Sequence, residues 1–354
     1  MASIKDIAKL AGSSPATVSR VLNNPDYHCT DPGLRKKIWD AAMELDYVPN
    51  EAARSLKKGV RASAEKTYYI YVLMTRTEKT HTDPFFSELL RVVETEIHRR
   101  SCILSGVWYN SVFSDDKRCR AANPDKLVEE LIRETDGKCD GLIVIGRCNK
   151  EILKKLKARF VNVVSVNRNS TNREVDEVTC DGRKVAAMAV ESLINLGHRD
   201  IGYVGECRNE ARYKGFSETL AKHDIEVVPG FIYETKQTEA AGFDIMQNIL
   251  KSPEAPTGIY CANDITALGM LHALAKSRNR TKKISIISSD DIERAQYSKP
   301  MLSTVSLPKE EMARFAVMLL YDRIVGRHRS VVKMEFDGQL MMRESCYETD
   351  DFMR

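Results

Sequence analysis

Features that would place this chain in a membrane or outside the cell are missing from its sequence. No apolar run approaches the roughly 18 residues that a membrane-spanning helix needs, and the longest, Tyr68 to Met74, has the length of a strand. Charged Lys5 and Asp6 stand where a signal peptide would be apolar. The nine cysteines include no Cys-x-x-Cys pair, which favours reduced thiols over disulfides or metal ligands. These absences predict a cytoplasmic protein.

Sequence motifs of common enzymes are absent too. The chain has no G-x-G-x-x-G after its first predicted strand, no G-x-x-x-x-G-K-[ST], no H-E-x-x-H and no G-x-S-x-G. Its seven histidines are scattered, and a structural role suits them better than metal ligation or acid–base work. We therefore predict a protein that is not an enzyme, with no catalytic residues, metal or cofactor.

The chain is long enough for two or three domains, and its positive charge is concentrated at one end. It has 354 residues, of which 43% are hydrophobic and 29% charged. Residues 1–66 carry eleven basic and eight acidic side chains, so that this fifth of the chain holds +3 of the total net charge of +4. The bias is mild, but it is compatible with a polyanionic partner.

The first forty-five residues carry the signals of three short helices. Ser3 and Asp6 can cap the first helix, which has apolar residues at helical spacing and ends at Gly12. Ser14 can cap a second helix, with Pro15 at its first position. A third follows residues 30–32. Two helices joined by a short turn that contains Gly are typical of a helix-turn-helix.

The predicted outward face of the second helix suits contact with DNA. It carries Pro15, Ala16, Ser19, Arg20 and Asn23. Small residues let the backbone approach base edges, and an arginine can contact guanine with two hydrogen bonds. The hydroxyls of Ser14, Thr17 and Ser19 suit phosphate oxygens. The alternative is a solvated polar face on an ordinary three-helix bundle.

Residues 4–58 strongly resemble the DNA-binding headpiece of the lactose-repressor (LacI/GalR) family. The matching stretches are Ile4–Gly12, Ser14–Asn23, Leu45–Asn50 and Ala52–Lys57. The resemblance assigns Pro15, Ala16 and Arg20 to base readout in the major groove. It also implies a hinge helix over residues 50–57, beginning at Asn50 and lying in the minor groove, where Leu56 wedges between base pairs beside Arg54 and Lys57. The alternative for Leu56 is a linker leucine packed on the next domain.

From residue 67 onward, apolar runs of strand length alternate with helical segments in two series of about 110 residues. This pattern predicts parallel, doubly wound α/β sheets in two lobes. We expect lobe one at about 67–178 plus 308–326 and lobe two at about 179–306 plus 330–346. Residues 1–49 are then the headpiece, 50–66 the hinge helix and linker, and 347–354 a tail.

The family resemblance continues through this part to about residue 346 and implies a periplasmic-binding-protein-like fold that clamps a small molecule. In such sheets a ligand lies at the carboxyl ends of the strands. Phe85, Phe86, Arg212, Asn263 and Asp290 all follow predicted strand ends and suit a sugar. Arg212 could instead pair with an acid of its helix, and the two phenylalanines could be plain core.

Together these patterns predict a DNA-binding transcriptional regulator that represses sugar-utilisation genes under the control of a sugar effector. It would act as a homodimer on a pseudo-palindromic operator. The resemblance is nearest to the β-galactoside-responsive repressors of the family. A transport-type sugar-binding protein of the periplasmic kind without a DNA role, and an enzyme on the same fold, are the alternatives.

Overall fold

Hydrophobic side chains gather separately before and after residue 66 in the computed structural model of the chain. The structure describes residues 3–23, 27, 31–45, 47, 66–76, 83–114, 116–172, 174–277 and 283–349. Contacts divide the chain into two compact units, Met1–Lys66 and Thr67–Arg354. Each unit has its own buried core.

The first unit contains three helices, α1 (Ile4–Leu10), α2 (Pro15–Asn23) and α3 (Pro32–Glu44). The capping box predicted at the start of α1 forms, because the Ser3 backbone N–H donates to the Asp6 carboxylate at 2.8 Å and the Asp6 N–H donates to the Ser3 hydroxyl at 3.4 Å. Gly12 has a φ of +64° just after α1, a conformation that glycine adopts without strain. The turn between α1 and α2 is therefore encoded locally.

Side chains from all three helices form the core of this unit. Ile7 of α1, Val18 and Val21 of α2, and Ile38 of α3 are all buried. Since the apolar residues of each helix recur at helical spacing, one face of every helix turns inward and the other stays in solvent. This leaves the polar face of α2 free of the core.

The second unit is built on two six-stranded sheets. The strands, in chain order, are β1 Tyr69–Met74, β2 Ile103–Tyr109, β3 Gly141–Ile145, β4 Val163–Asn167, β5 Asp176–Cys180, β6 Ile201–Gly205, β7 Ile232–Glu234, β8 Gly258–Cys261, β9 Ser285–Asp290, β10 Ser303–Ser306, β11 Lys333–Phe336 and β12 Gln339–Met341. The first sheet has the order β11-β5-β4-β3-β1-β2 and is parallel throughout. The second has the order β12-β10-β9-β8-β6-β7, and only β12 is antiparallel.

Helices cover these sheets, as parallel strands require. They are α4 Pro84–Arg99, α5 Asp116–Ala121, α6 Pro124–Glu134, α7 Lys150–Arg159, α8 Gly182–Asn195, α9 Ala211–Lys222, α10 Glu239–Lys251, α11 Asp264–Lys276, α12 Glu293–Tyr297 and α13 Lys309–Ile324. One buried cluster lies between the first sheet and helices α6 and α7. A larger one runs from the other face of the first sheet into the second lobe. The expected fold class, a helix-turn-helix region followed by a two-lobed parallel α/β domain, is confirmed.

The expected placement of residues 330–346 in the second lobe is wrong for its first part. Strand β11 pairs with β5 in the first sheet, and only β12 joins the second. The buried Asp176 explains this, because its carboxylate accepts hydrogen bonds from the Val332 N–H at 2.8 Å and from Arg323 Nε and Nη2 at 2.6 Å. These contacts hold the end of α13 and the start of β11 against β5.

Residues 345–349, the start of the expected tail included, are bound to the second sheet. Buried His198 is the anchor: its Nδ1 lies 3.0 Å from the Thr257 hydroxyl, and its Nε2 lies 3.0 Å from the carbonyl oxygen of Tyr347. The Ser345 hydroxyl donates to the carbonyl oxygen of Ile286 at 2.6 Å. Burial lowers the pKa of His198, although the hydrogen bond to Tyr347 opposes this. The ring is therefore a neutral structural group.

Two glycines allow α10 and α11 to cross closely. A Cβ on Gly269 of α11 would overlap the carbonyl oxygen of Glu239, and one on Gly242 of α10 would overlap that of Thr266. The two glycines thus bring the helix backbones into direct contact. Since α11 begins next to Asn263, this crossing also fixes the position of a predicted effector-binding residue.

Gly269→Ala should lower the free energy of unfolding by about 1–3 kcal/mol, because overpacking at a rigid backbone contact outweighs the gain in helix propensity. Urea unfolding followed by circular dichroism measures the change. Gly230→Ala is the matched control, since a Cβ at Gly230 meets no atom within 4 Å. Equal stability of the two variants would contradict the proposed close contact.

Candidate functional site

The polar face of α2 is the first candidate site, and its local structure follows from Ser14. The Thr17 N–H donates to the Ser14 hydroxyl at 3.1 Å, and the two hydroxyls lie 2.9 Å apart. Ser14 is therefore the N-cap of α2, as the sequence predicts. Its hydroxyl already takes part in the cap, so any contact with a phosphate would be shared with it.

The structure leaves three of the predicted DNA-contacting residues of α2 exposed. Pro15, Ala16 and Arg20 are exposed, while Thr17 and Ser19 are half-buried. Asn23 is the last residue of α2. The predicted hinge residues Asn50, Arg54, Leu56 and Lys57 lie outside the described residues.

The second candidate site is the cleft between the two lobes of the second unit. Four arginines and several apolar side chains line it. The lining residues are Arg76, Phe85, Phe86, Leu89, Arg147, Val166, Asn167, Arg168, Asn169, Glu210, Arg212 and Met312. The free volume between these side chains is about 30 Å³, enough for one water molecule. Binding of a larger ligand therefore requires the lobes to separate.

Arg212 is held in the cleft by a buried ion pair. Its Nε donates to Glu210 Oε1 at 2.8 Å, its backbone N–H donates to the same oxygen at 3.3 Å, and its Nη1 donates to the carbonyl oxygen of Ala262. Burial raises the pKa of Glu210, but the charge and hydrogen bond of Arg212 outweigh it and lower the pKa to about 2. The acid caps the helix that Arg212 belongs to, so the structural alternative for Arg212 holds alongside its place in the cleft.

Asp290, at the end of β9, faces the opposite lobe. Arg168 Nη2 lies 2.7 Å from its Oδ1, but neither carboxylate oxygen has an aligned hydrogen bond. Its φ of +133° is a strained backbone conformation for a residue other than glycine. Burial raises the pKa of Asp290, and nearby Asp83 and Asp264 add to this while Arg168 opposes it. Asp290 is therefore a buried acid without an aligned hydrogen bond, on a strained backbone.

The two phenylalanines form an apolar wall beside this ion pair. The rings of Phe85 and Phe86 meet edge to face at a centroid distance of 5.1 Å, and the guanidinium carbon of Arg168 lies 4.4 Å from the centroid of Phe85. Phe85 is also buried in the main core cluster. Both proposed roles, core and cleft wall, therefore apply to Phe85, whereas Phe86 is only partly buried.

Asn263 connects the two lobes at the start of α11. Its Oδ1 accepts from the Thr266 N–H at 3.3 Å, and its Nδ2 donates to Asp83 Oδ2 at 3.4 Å. Asp83 in turn caps α4, because it accepts from the Phe85 N–H at 3.0 Å. A movement of the lobes would break the contact between Asn263 and Asp83.

The structure brings the five predicted effector residues into one region, although not all line the cavity. Phe85, Phe86 and Arg212 line it, Asp290 contacts the lining residue Arg168, and Asn263 contacts Asp83, which in turn contacts Phe85. Sequence reasoning missed Arg76, Arg147, Arg168, Glu206 and Glu210. The signal was present, since Arg76, Arg147 and Arg168 each follow a predicted strand within two residues.

Comparisons with known proteins match both units. Residues 3–50 match the family described as bacterial regulatory proteins, lacI family, and residues 190–346 match the periplasmic binding protein-like domain. The PurR transcriptional repressor of Mannheimia succiniciproducens is 28% identical over 353 residues, 98% of each chain.

The chain belongs to the LacI family. It is a DNA-binding transcriptional repressor of that family, with a helix-turn-helix and a periplasmic-binding-like domain. Two solved structures share the fold of this LacI-family chain. The CelR–cellobiose complex has a TM-score of 0.66 at 23% identity, covering 98% of this chain and 100% of that one. The lac repressor dimer bound to operator and an anti-inducer has a TM-score of 0.63 at 22% identity, covering 98% and 99%. Among the described residues, no helix is long and apolar enough to cross a membrane.

Glu210→Gln should make this LacI-family protein less stable at pH 7 by about 3–5 kcal/mol, because it leaves Arg212 buried without a counter-charge. The pKa of Glu210 is about 2 when folded and about 4.5 when unfolded, so the pair stabilises fully above pH 4.5 and progressively less as the pH falls towards 2. The difference between wild type and variant should therefore shrink over that range.

Urea unfolding at a series of pH values measures this difference. Glu218→Gln on the same helix is the control, since the Glu218 side chain is 59% exposed and its contact with Arg183 is 3.7 Å long. A difference that stays constant between pH 5 and 3 would show that Glu210 is not held as a buried carboxylate.

Proposed function

We propose that this repressor controls carbohydrate-utilisation genes, that it binds a pseudo-palindromic operator as a homodimer, and that a small-molecule effector, a sugar, binds between its lobes. Residues 1–49 would be the headpiece and 50–66 the hinge helix and linker. One observation carries the proposal: the same chain has both an exposed face on α2, around Arg20, and a cleft lined by charged side chains from two lobes.

The α2 face supports direct base readout. Pro15 and Ala16 leave the first turn of α2 without bulk, so the helix backbone can approach a groove, and exposed Arg20 lies one turn further on. Its guanidinium can donate two hydrogen bonds to the edge of a guanine. We propose Ser14, Thr17, Ser19 and Asn23 as partners of the phosphates and neighbouring bases. The hinge residues Asn50, Arg54, Leu56 and Lys57 remain a prediction of the sequence for the minor groove.

The cleft supports control by an effector. An effector changes DNA affinity only if it binds two arrangements of the lobes with different affinity. Here the contacts of Asp290 with Arg168 and of Asn263 with Asp83 join the lobes, so a ligand bound at these groups must alter them. The CelR relative has the same fold and forms a complex with cellobiose, which supports a sugar as effector. A β-galactoside as the particular sugar stays a prediction.

Arg20→Ala should weaken binding to the operator by about 5- to 150-fold, the equivalent of 1–3 kcal/mol, and binding to random DNA much less. The operator is first selected by gel shift with genomic fragments, and affinities are then measured by fluorescence anisotropy at fixed salt. Lys36→Ala removes an equal charge from an exposed position on α3 and should affect both DNAs alike. If Arg20→Ala weakened binding to operator and to random DNA equally, Arg20 would not read bases. If the wild-type protein bound no operator, the transport-type alternative would be favoured.

Asp290→Asn should abolish the response to the sugar, because a ligand hydroxyl in a closed site loses its charged acceptor. A thermal-shift screen of mono- and disaccharides finds the sugar, and calorimetry then measures a loss of affinity of about tenfold or more. Asp244→Asn, at an exposed position on α10, is the matched control. Wild-type sugar affinity in Asp290→Asn would place the site elsewhere. Arg212→Ala is a poorer test, since it would also leave Glu210 buried and unpaired.

A further inference from the structure

Three adjacent strands of the first sheet end in arginines that line the cleft. Arg76 follows β1, Arg147 follows β3 and Arg168 follows β4, each within two residues of the strand end. The strands β4, β3 and β1 are neighbours and parallel, so these side chains leave the sheet at the same edge. We call this set of three residues, Arg76, Arg147 and Arg168, the arginine edge.

The carboxylates that neutralise the arginine edge come mainly from the other lobe. Arg76 donates two hydrogen bonds to Glu206, at 3.0 and 2.8 Å, and Arg147 lies 4.0 Å from the same carboxylate. Arg168 lies 2.7 Å from Asp290. Within the first lobe, the described residues offer Arg147 only Asp116, at 3.5 Å.

Separation of the lobes would therefore expose a wall of three cations. The cleft must open to admit a ligand, because its free volume is about 30 Å³. Opening moves Glu206 and Asp290 away with the second lobe, and it leaves three guanidiniums beside one carboxylate. A neutral sugar can accept hydrogen bonds from guanidiniums, but it leaves their charge uncompensated once the cleft closes again. A carboxylate or phosphate supplies both the acceptor oxygens and the charge.

We propose that the effector of this protein carries an oxyanion, as a sugar acid or a sugar phosphate does, and that Arg76, Arg147 and Arg168 bind it in place of Glu206 and Asp290. This inference rests on the proposed function of the cleft as the effector site. The displaced groups have other partners: the Glu206 side chain is 30% exposed and can turn to water, and Asp290 can accept a hydrogen bond from a hydroxyl of the ligand.

The test compares each neutral sugar with its charged derivatives on the full-length protein in phosphate-free buffer. Thermal shift and calorimetry are run with glucose, glucuronate and glucose 6-phosphate, with galactose, galacturonate and galactose 6-phosphate, and with inorganic phosphate. We expect one charged member of a set to stabilise the protein saturably, to bind at least tenfold more tightly than its neutral parent, and to weaken as ionic strength rises. Comparing the sugar acids with the sugar phosphates shows whether the oxyanion is a carboxylate or a phosphate.

Variants locate the anion on the arginine edge. Arg147→Gln and, separately, Arg76→Gln should each weaken the charged ligand at least tenfold and should weaken any binding of the neutral parent much less. Arg133→Gln, at an exposed position on α6 in the same lobe, removes the same charge away from the cleft and should bind like wild type. Circular dichroism confirms that each variant is folded, and two independent variants guard against the failure of one.

Several outcomes would overturn the inference. One is that a neutral sugar stabilises the protein as much as its charged derivatives do, or more. Another is that no charged probe stabilises the protein at all. A third is that wild type and both arginine variants bind the charged ligand with equal affinity. Operator binding measured in parallel separates this failure from failure of the proposed function. A protein that binds its operator and responds to a neutral sugar keeps the function and loses the inference, whereas one that binds no operator loses the function.

Discussion

The arrangement of the two lobes depends on charges that neither lobe neutralises alone. Arg168 of the first lobe meets Asp290 of the second at 2.7 Å, and Arg76 holds Glu206 with two hydrogen bonds. Asp290 is 1% exposed and Arg168 8% exposed, so an unpaired charge at either place would be costly. Any change in the relation of the lobes must therefore supply new partners for these groups, which makes the cleft sensitive to ligands.

Structural contacts also support Asp290 and Asn263 beside the cleft. Lys309 Nζ donates to the backbone oxygens of Asp290 and Asp291, at 3.1 and 2.8 Å, and also pairs with Glu88 of α4 at 2.8 Å. The glycine contact between α10 and α11 fixes the start of α11, where Asn263 lies. The Lys309 contacts therefore join α13 of the first lobe to the end of β9 in the second, whereas the glycine contact limits movement within the second lobe.

Much of the fold could be predicted because its signals are local. Ser3 with Asp6, Gly12, and Ser14 with Pro15 mark helix ends within three or four residues, and all function there in the structure. Apolar runs such as Tyr69–Met74 and Gly141–Ile145 are buried on both faces, as strands of a parallel sheet must be. The short, partly exposed strands β11 and β12 gave no comparable signal, and their sheets were decided by Asp176 and by pairing with β10.

The sequence by itself determined the family, the fold class and the segments that carry candidate contacts, because helix caps, apolar periodicity and a long matching motif depend on residues close together in the chain. It also indicated Arg212 and Asp290, since each follows a strand. Only the tertiary structure decided that Arg212 is paired with Glu210 and that Arg76, Arg147 and Arg168 share one edge. These arginines are 21 to 92 residues apart in the chain, and the order of strands in the sheet, which no local pattern encodes, makes them neighbours.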